Sequence, residues 1–266
     1  MKSTEEKIEE IKSHSYELDF GTVFNHAFEI YKKIAINAGV AFLLFSMLLC
    51  IIVVGLVVGI LGFGISADEM QQFSIINFSP LGIVAYVAFM VAVTALGSPF
   101  TAGITKMARN ASKNEEVSIG NAFDYYGGRY FSKILVASFI LGSFTTLVDV
   151  GLELIDYKIL GVLINLVVSL LTFLTIPLII FGNLDPMNAI KGSIIIISKQ
   201  FLIIIGLLIV TGLFCMLGLF GLCIGIFFTM PLLNAMTYSI YATILDDHEN
   251  ENQAEMEQGE NDVILE

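Results

Sequence analysis

Asp149 and Glu153 stand four residues apart, so a helix places them on one face, with Asp156 next along it. Carboxylates spaced this way inside a membrane could hold a cation or relay a proton. The competing position is the membrane edge. At 1.5 Å per residue, Asp149 lies about 25 Å from the start of its apolar stretch, at the level of the headgroups, and the sequence favours this second position. Asn165 and Ser169, also four apart, suit hydrogen bonds across a helix contact. His14, His26 and His248 are the only histidines and fall in polar or interfacial segments, which argues against a histidine-rich metal site or a Ser-His-Asp triad. Neither a GxxxxGK[ST] loop nor an HExxH pair occurs, and Gly62 and Gly64 lack the strand context of a dinucleotide fingerprint. Cys50, Cys215 and Cys223 sit in apolar runs as an odd, scattered set, which predicts small buried hydrophobes. The expectation is a non-enzyme with no catalytic, cofactor-binding or metal-ligating residues and no cofactor.

The elements that must carry these residues are membrane helices. Of 266 residues, 56% are hydrophobic and 14% charged, against about 25% charged in a soluble domain. Crossing the hydrocarbon takes around 20 apolar residues. Six stretches qualify: Ile34 to Phe63, Pro80 to Thr105, Ser132 to Leu152, Ile159 to Phe181, Phe201 to Leu219, and Leu222 to Ile244. Only Phe220 and Gly221 separate the last two. Part of that run is alternatively re-entrant, which lowers the count to five or four. The expected fold is all-α, a polytopic bundle of about six transmembrane helices in the cell membrane.

Twelve of the thirteen basic residues fall on one side of these spans, and only Lys158 falls on the other. Basic residues are retained in cytoplasmic loops, so both termini are expected inside, with Ser66 to Pro80 and the turn near Asp156 outside. The net charge of −12 belongs mostly to Asp246 to Glu266, which holds nine acids and no Lys or Arg. Such a tail is expected to be disordered, and its terminal ValIleLeuGlu is most simply part of a solvated end. The absence of a basic cluster argues against nucleic acid. Three divisions follow: a polar cytoplasmic segment 1–18, a membrane domain 19–245 and an acidic tail 246–266. Tyr31, Tyr125, Tyr126, Tyr130 and Tyr241 lie near the predicted inner boundaries, where they would replace the missing Trp.

A threefold repeat runs through the membrane domain. A capping residue is followed five positions later by an apolar residue, then by Lys just before a span: Asp19, Phe24, Lys33; Ser118, Phe123, Lys133; Asp185, Ile190, Lys199. Apolar residues at three- and four-residue steps after the first two caps predict short interfacial elbow helices. Two spans follow each cap, and the second of each pair carries a proline, at Pro99, Pro177 and Pro231, that should bend it. GxxxG pairs at Gly55/Gly59 and Gly221/Gly225 predict close helix contact within the monomer.

The stretches TIPLIIFGNLDPMNAIKGSIIIISKQF and GLCIGIFFTMPLLNAMTYSIY, with Pro177, the elbow after Asp185, Gly221, Gly225, Pro231, Tyr238 and Tyr241, resemble the end of the six-span membrane domain of bacterial glycerophosphoryl diester phosphodiesterases and that domain's stand-alone relatives. The resemblance covers residues 20 to 245. It implies a bacterial inner-membrane protein. The soluble phosphodiesterase barrel has no room in this chain, so no catalytic residue carries over. The functional expectation is a scaffold or accessory factor in the lipid bilayer with a membrane or cytoplasmic protein partner. A small-molecule or ion transporter is the alternative.

Overall fold

The structure, a computed structural model, describes residues 3–13, 16–61, 79–220 and 225–246. Residues 62–78 of the expected outer loop, the expected hairpin at Gly221, Cys223, His14, His248 and the tail beyond Asp246 lie outside the described residues. The regular structure that is described is helical throughout, with no strand among the described residues. Among the described residues ten α-helices appear: α1 (Thr4–Ser13), α2 (Phe20–Leu61), α3 (Pro80–Ser112), α4 (Phe131–Leu154), α5 (Lys158–Thr172), α6 (Thr175–Ile180), α7 (Pro186–Lys199), α8 (Phe201–Leu217), α9 (Gly225–Thr229) and α10 (Pro231–Leu245). Among the described residues four helical stretches are long and apolar enough to cross a bilayer, Phe20–Gly55, Pro80–Ser112, Phe131–Leu154 and Lys158–Ile180, and α7 with α8 makes a fifth if that bent pair is one span.

The first repeat begins as expected and then departs from the pattern. The Asp19 carboxylate accepts from the Thr22 N–H at 2.7 Å and so caps α2. No elbow follows. Val23, Ala27, Ile30, Ile34, Ala38 and Ala41 form one buried stripe at three- and four-residue steps, running through Lys32 and Lys33 without a break. Nothing between Thr22 and Ala38 is Gly or Pro, so the helix has no reason to stop.

In the second repeat Ser118 opens a short 3-10 turn (Ile119–Phe123), with Asn121 Oδ1 accepting from the Ser118 N–H at 2.9 Å. The expected interfacial helix gives way to turns as far as Tyr130, because Gly127 and Gly128 follow at once and Gly128 takes φ +78°. A Cβ at Gly103 would overlap the Ala122 backbone, so the turn lies directly on α3. The third repeat has a separate elbow: α7 meets α8 at 97°. Asp185 starts α7 from an extended backbone with Pro186 in the first turn, but its side chain makes no cap bond. It pairs instead with Lys133 at 2.8 Å, tying the start of α4 to the start of α7. The expected sixth span is divided at Met230, where Pro231 begins a new helix.

Packing runs from α2 to α3, α3 to α4, α4 to α5, and from α5 and α6 to α7, while α10 packs on α2, α3, α6 and α8. The core lies toward one end. In α3 every buried residue except Val91 lies from Ser98 onward. The other halves of α2 and α3 expose Met47, Ile51, Val54, Leu81 and Val84. The end holding the core also holds the lysine side of the sequence and is called the basic end below. Small apolar residues did not all pack as expected: Cys50 is exposed, and Gly55 meets nothing nearby, whereas Gly225 lies against the Gly218 backbone.

Candidate functional site

At the basic end α2, α3 and α10 converge on His26. Its Nδ1 lies 3.0 Å from Ser239 Oγ and its Nε2 lies 3.1 Å from Ser112 Oγ. The Ser239 hydroxyl donates its only proton to the Val23 carbonyl at 2.9 Å, so Nδ1 must be the donor to Ser239. In the neutral ring Nε2 is then the acceptor facing Ser112. The Ser112–His26 distance is that of a nucleophile and its base. The nitrogen that a carboxylate would orient in a triad faces a serine here, and the arrangement as built is a bridge joining three helices.

The proline breaks are closed by hydroxyls. Pro99 supplies no N–H for the Ala95 carbonyl, and Ser98 Oγ donates to that carbonyl at 2.8 Å. One residue on, Tyr126 from the second repeat donates to the Leu96 carbonyl at 2.8 Å. Burial pushes the Tyr126 phenol up, and a hydrogen bond from the Phe100 backbone pulls it the other way. At the gap between α5 and α6, just before Pro177, Ser193 Oγ of α7 donates to the Leu171 carbonyl at 2.8 Å and accepts from the Leu174 N–H at 3.1 Å. A side chain thus replaces the missing rungs of the helix. Thr175 Oγ1, buried beside this gap, has no partner.

Three lysines end on backbone carbonyls at helix C-termini. Lys7 Nζ lies 2.7 Å from Leu245 O, Lys33 Nζ 3.1 Å from Ala111 O, and Lys199 Nζ 2.9 Å from Lys12 O. These carbonyls sit in last helical turns, at the negative end of the helix dipole, and Ala111 O also accepts from the Asn114 N–H at 3.3 Å. Lys106 pairs with Asp124 at 2.7 Å and Lys113 with Asp246 at 3.5 Å. Arg109 sits 5.2 Å over the Phe181 ring, which packs edge-on against Tyr238. Tyr241, expected at the interface, is buried in this cluster. Burial raises Tyr125, in the neighbouring loop, to about 12.

The predicted acids lie at the opposite end of α4. Asp149 is exposed, its Oδ1 3.2 Å from where a Cβ on Gly161 would stand. Glu153 pairs with Lys158 at 3.5 Å across the turn into α5. That turn is closed by Asp156 at φ 63°. Asn165 Nδ2 donates to the Thr145 carbonyl at 3.1 Å, the cross-helix bond expected of it, and its buried Oδ1 has no partner. Ser169 is exposed. The structure therefore gathers Asp149, Glu153 and Asn165 along one α4–α5 seam, far from His26.

No protein-family model, curated protein or solved structure matches the chain. The likeness to the phosphodiesterase membrane domain accordingly rests on the residues quoted for it.

The His26 bridge was missed because a lone histidine in a polar-looking segment carries no partner in its local sequence. The signal was there in the stripe. His26 is the residue before the buried Ala27, and Ser239 lies in a helix whose small and hydroxyl residues mark it as interior.

Proposed function

We propose that the chain is a non-enzymatic scaffold of the bacterial inner membrane. It has six spans in three repeats and both termini in the cytoplasm, and it is akin to the stand-alone relatives of the phosphodiesterase membrane domain. The observation that carries this is the use made of the basic end. Its polar side chains are engaged in joining helices: His26 between two serines, three lysines on helix ends, Ser193 and Tyr126 in the proline breaks. Groups held this way give a fixed platform. The outward face of α1, with Glu6 and Glu9 exposed, suits a cytoplasmic protein with a basic surface. Full-length protein purified from its own membranes should bring down one protein partner, identified by mass spectrometry. That partner should be lost when both glutamates become lysine. Its retention in the variant would remove α1 from the contact.

Orientation is tested separately. A cysteine placed at Gln71 should react with an impermeant reagent added to intact cells, and one at Asn110 or Gln253 should not. Labelling of Asn110 would reverse the topology.

A transporter is the second reading, favoured by the interrupted α5–α6 helix, since broken helices build substrate sites in transporters. Cation flux through reconstituted protein that vanishes in Asp149→Asn would replace the scaffold with this reading.

A further inference from the structure

Helix α7 carries two faces with different duties. Ala189, Ser193 and Ile197 are buried, and Ser193 closes the gap between α5 and α6. Asn188, Gly192, Ile196 and Lys199 form a second stripe, one residue round the helix, and every one of them meets the N-terminal segment. Asn188 Nδ2 donates to Glu5 at 3.1 Å. A Cβ at Gly192 would stand 2.8 Å from Ile8 Cδ1, so the missing side chain is the seat for Ile8. The Tyr16 hydroxyl donates to the Ile196 carbonyl at 3.0 Å, and Lys199 reaches the Lys12 carbonyl at 2.9 Å. Gln200, the residue at the 97° bend into α8, donates its side-chain amide to the Tyr16 carbonyl.

We propose that α1 and Tyr16 form a releasable strap that holds α7 at its angle to α8 and so keeps Ser193 in the helix gap. The strap fastens α7 at its start, middle, last turn and hinge, and it reaches the end of α10 through Lys7. Its own hold on the core is small, with Ile8 and Ile11 the buried side chains of α1. A helix of ten residues does not persist alone in water, so once its seat is lost α1 unravels. The device is therefore all-or-none. With the strap fastened, the bend and the gap are fixed; with it released, α7 is free to turn and the Leu171 carbonyl and Leu174 N–H lose their partner. The proposal stands whether or not the scaffold reading does, because it concerns one element's grip on another.

The test changes only the strap. In full-length protein in nanodiscs, Ile8→Asp with Ile11→Asp should bring amide exchange across residues 4–13 to the rate of an unstructured peptide. It should also speed exchange at Leu174–Ile176 and Phe201–Ile204 by at least about tenfold. Exposure of residues 4–13 with the other two segments unchanged would overturn the coupling. Continued protection of residues 4–13 would overturn the seat. Should the double variant not fold, Glu5→Cys and Asn188→Cys, in a background with Cys50, Cys215 and Cys223 changed to Ser, can be joined by a short bis-maleimide. The joined form should exchange more slowly at Leu174–Ile176 than the unjoined form, and equal rates would overturn the proposal.

Discussion

Helices α5 and α10 are each 15 residues long and mostly apolar, yet 12 residues of α10 are buried and only Gly161 of α5 is. The buried helix is the more polar one. It carries Asn234, Thr237, Tyr238, Ser239 and Tyr241 between Leu233 and Ala242, whereas ten of the 15 residues of α5 are Leu, Ile or Val. In water the ordering would be reversed. Where the solvent is hydrocarbon, apolar side chains gain little from burial. Small and hydroxyl residues then mark the interior, because they let backbones approach and supply bonds between helices. Apolar content alone therefore does not distinguish the centre of this bundle from its rim.

The largest expected effect sits at the centre. Tyr238 is fully buried, and Tyr238→Ala should cost about 3–5 kcal/mol by analogy with other large aromatic truncations. Leu166, 66% exposed on α5, should tolerate Leu166→Ala within about 0.5 kcal/mol. Unfolding of the two variants in one detergent decides it, and equal losses would end the contrast between the helices. Next comes His26→Leu, which strips Ser112 and Ser239 of a shared partner and should cost about 1–3 kcal/mol. A double-mutant cycle with Ser239→Ala should show coupling, and additive losses would mean that the bridge holds nothing. Smaller again is Asp185→Ala. A capping role predicts about 0.5–2 kcal/mol. The observed pairing, with Asp185 71% and Lys133 30% exposed, predicts less than about 1 kcal/mol.

The smallest effect concerns Asp19. Hydrogen bonds from Thr22 hold its carboxyl below the ordinary range. A group with a lowered pKa in the folded state contributes stability above its unfolded pKa and loses it as pH falls through the folded one. Acidification below the usual carboxylate range should thus speed exchange at the amides of Thr22 and Val23. Asp19→Asn should remove that pH dependence, and an unchanged profile would separate the cap from the titration.

Much of the helical layout was legible because length and apolarity suffice for it. The start of α2 at Asp19, the start of α3 at Pro80 and the Asn165 bond to α4 all follow from local chemistry. The elbows did not, since each depends on what interrupts the chain. The first was expected from its stripe, but a stripe with no breaker simply continues into the span. The second was defeated by Gly127 and Gly128. The third exists because Gln200 leaves the helical conformation (φ −129°, ψ 42°) and bonds to Tyr16, a residue 184 positions earlier. The serines and the tyrosine that mend the proline breaks were equally invisible, because the need lies in one helix and the remedy usually in another.

The lysines carry a last consequence, one of timing. In a chain inserted into a bilayer with its basic loops inside, Lys7, Lys33 and Lys199 would act before the helix ends they bind are in place. In the finished protein the same three ammonium groups are bound to helix ends at 2.7, 3.1 and 2.9 Å. Each ammonium then faces the negative end of a helix dipole while Lys33 and Lys199 stay exposed, and anionic lipid gathering beneath the mature protein should be weaker than its count of basic residues suggests.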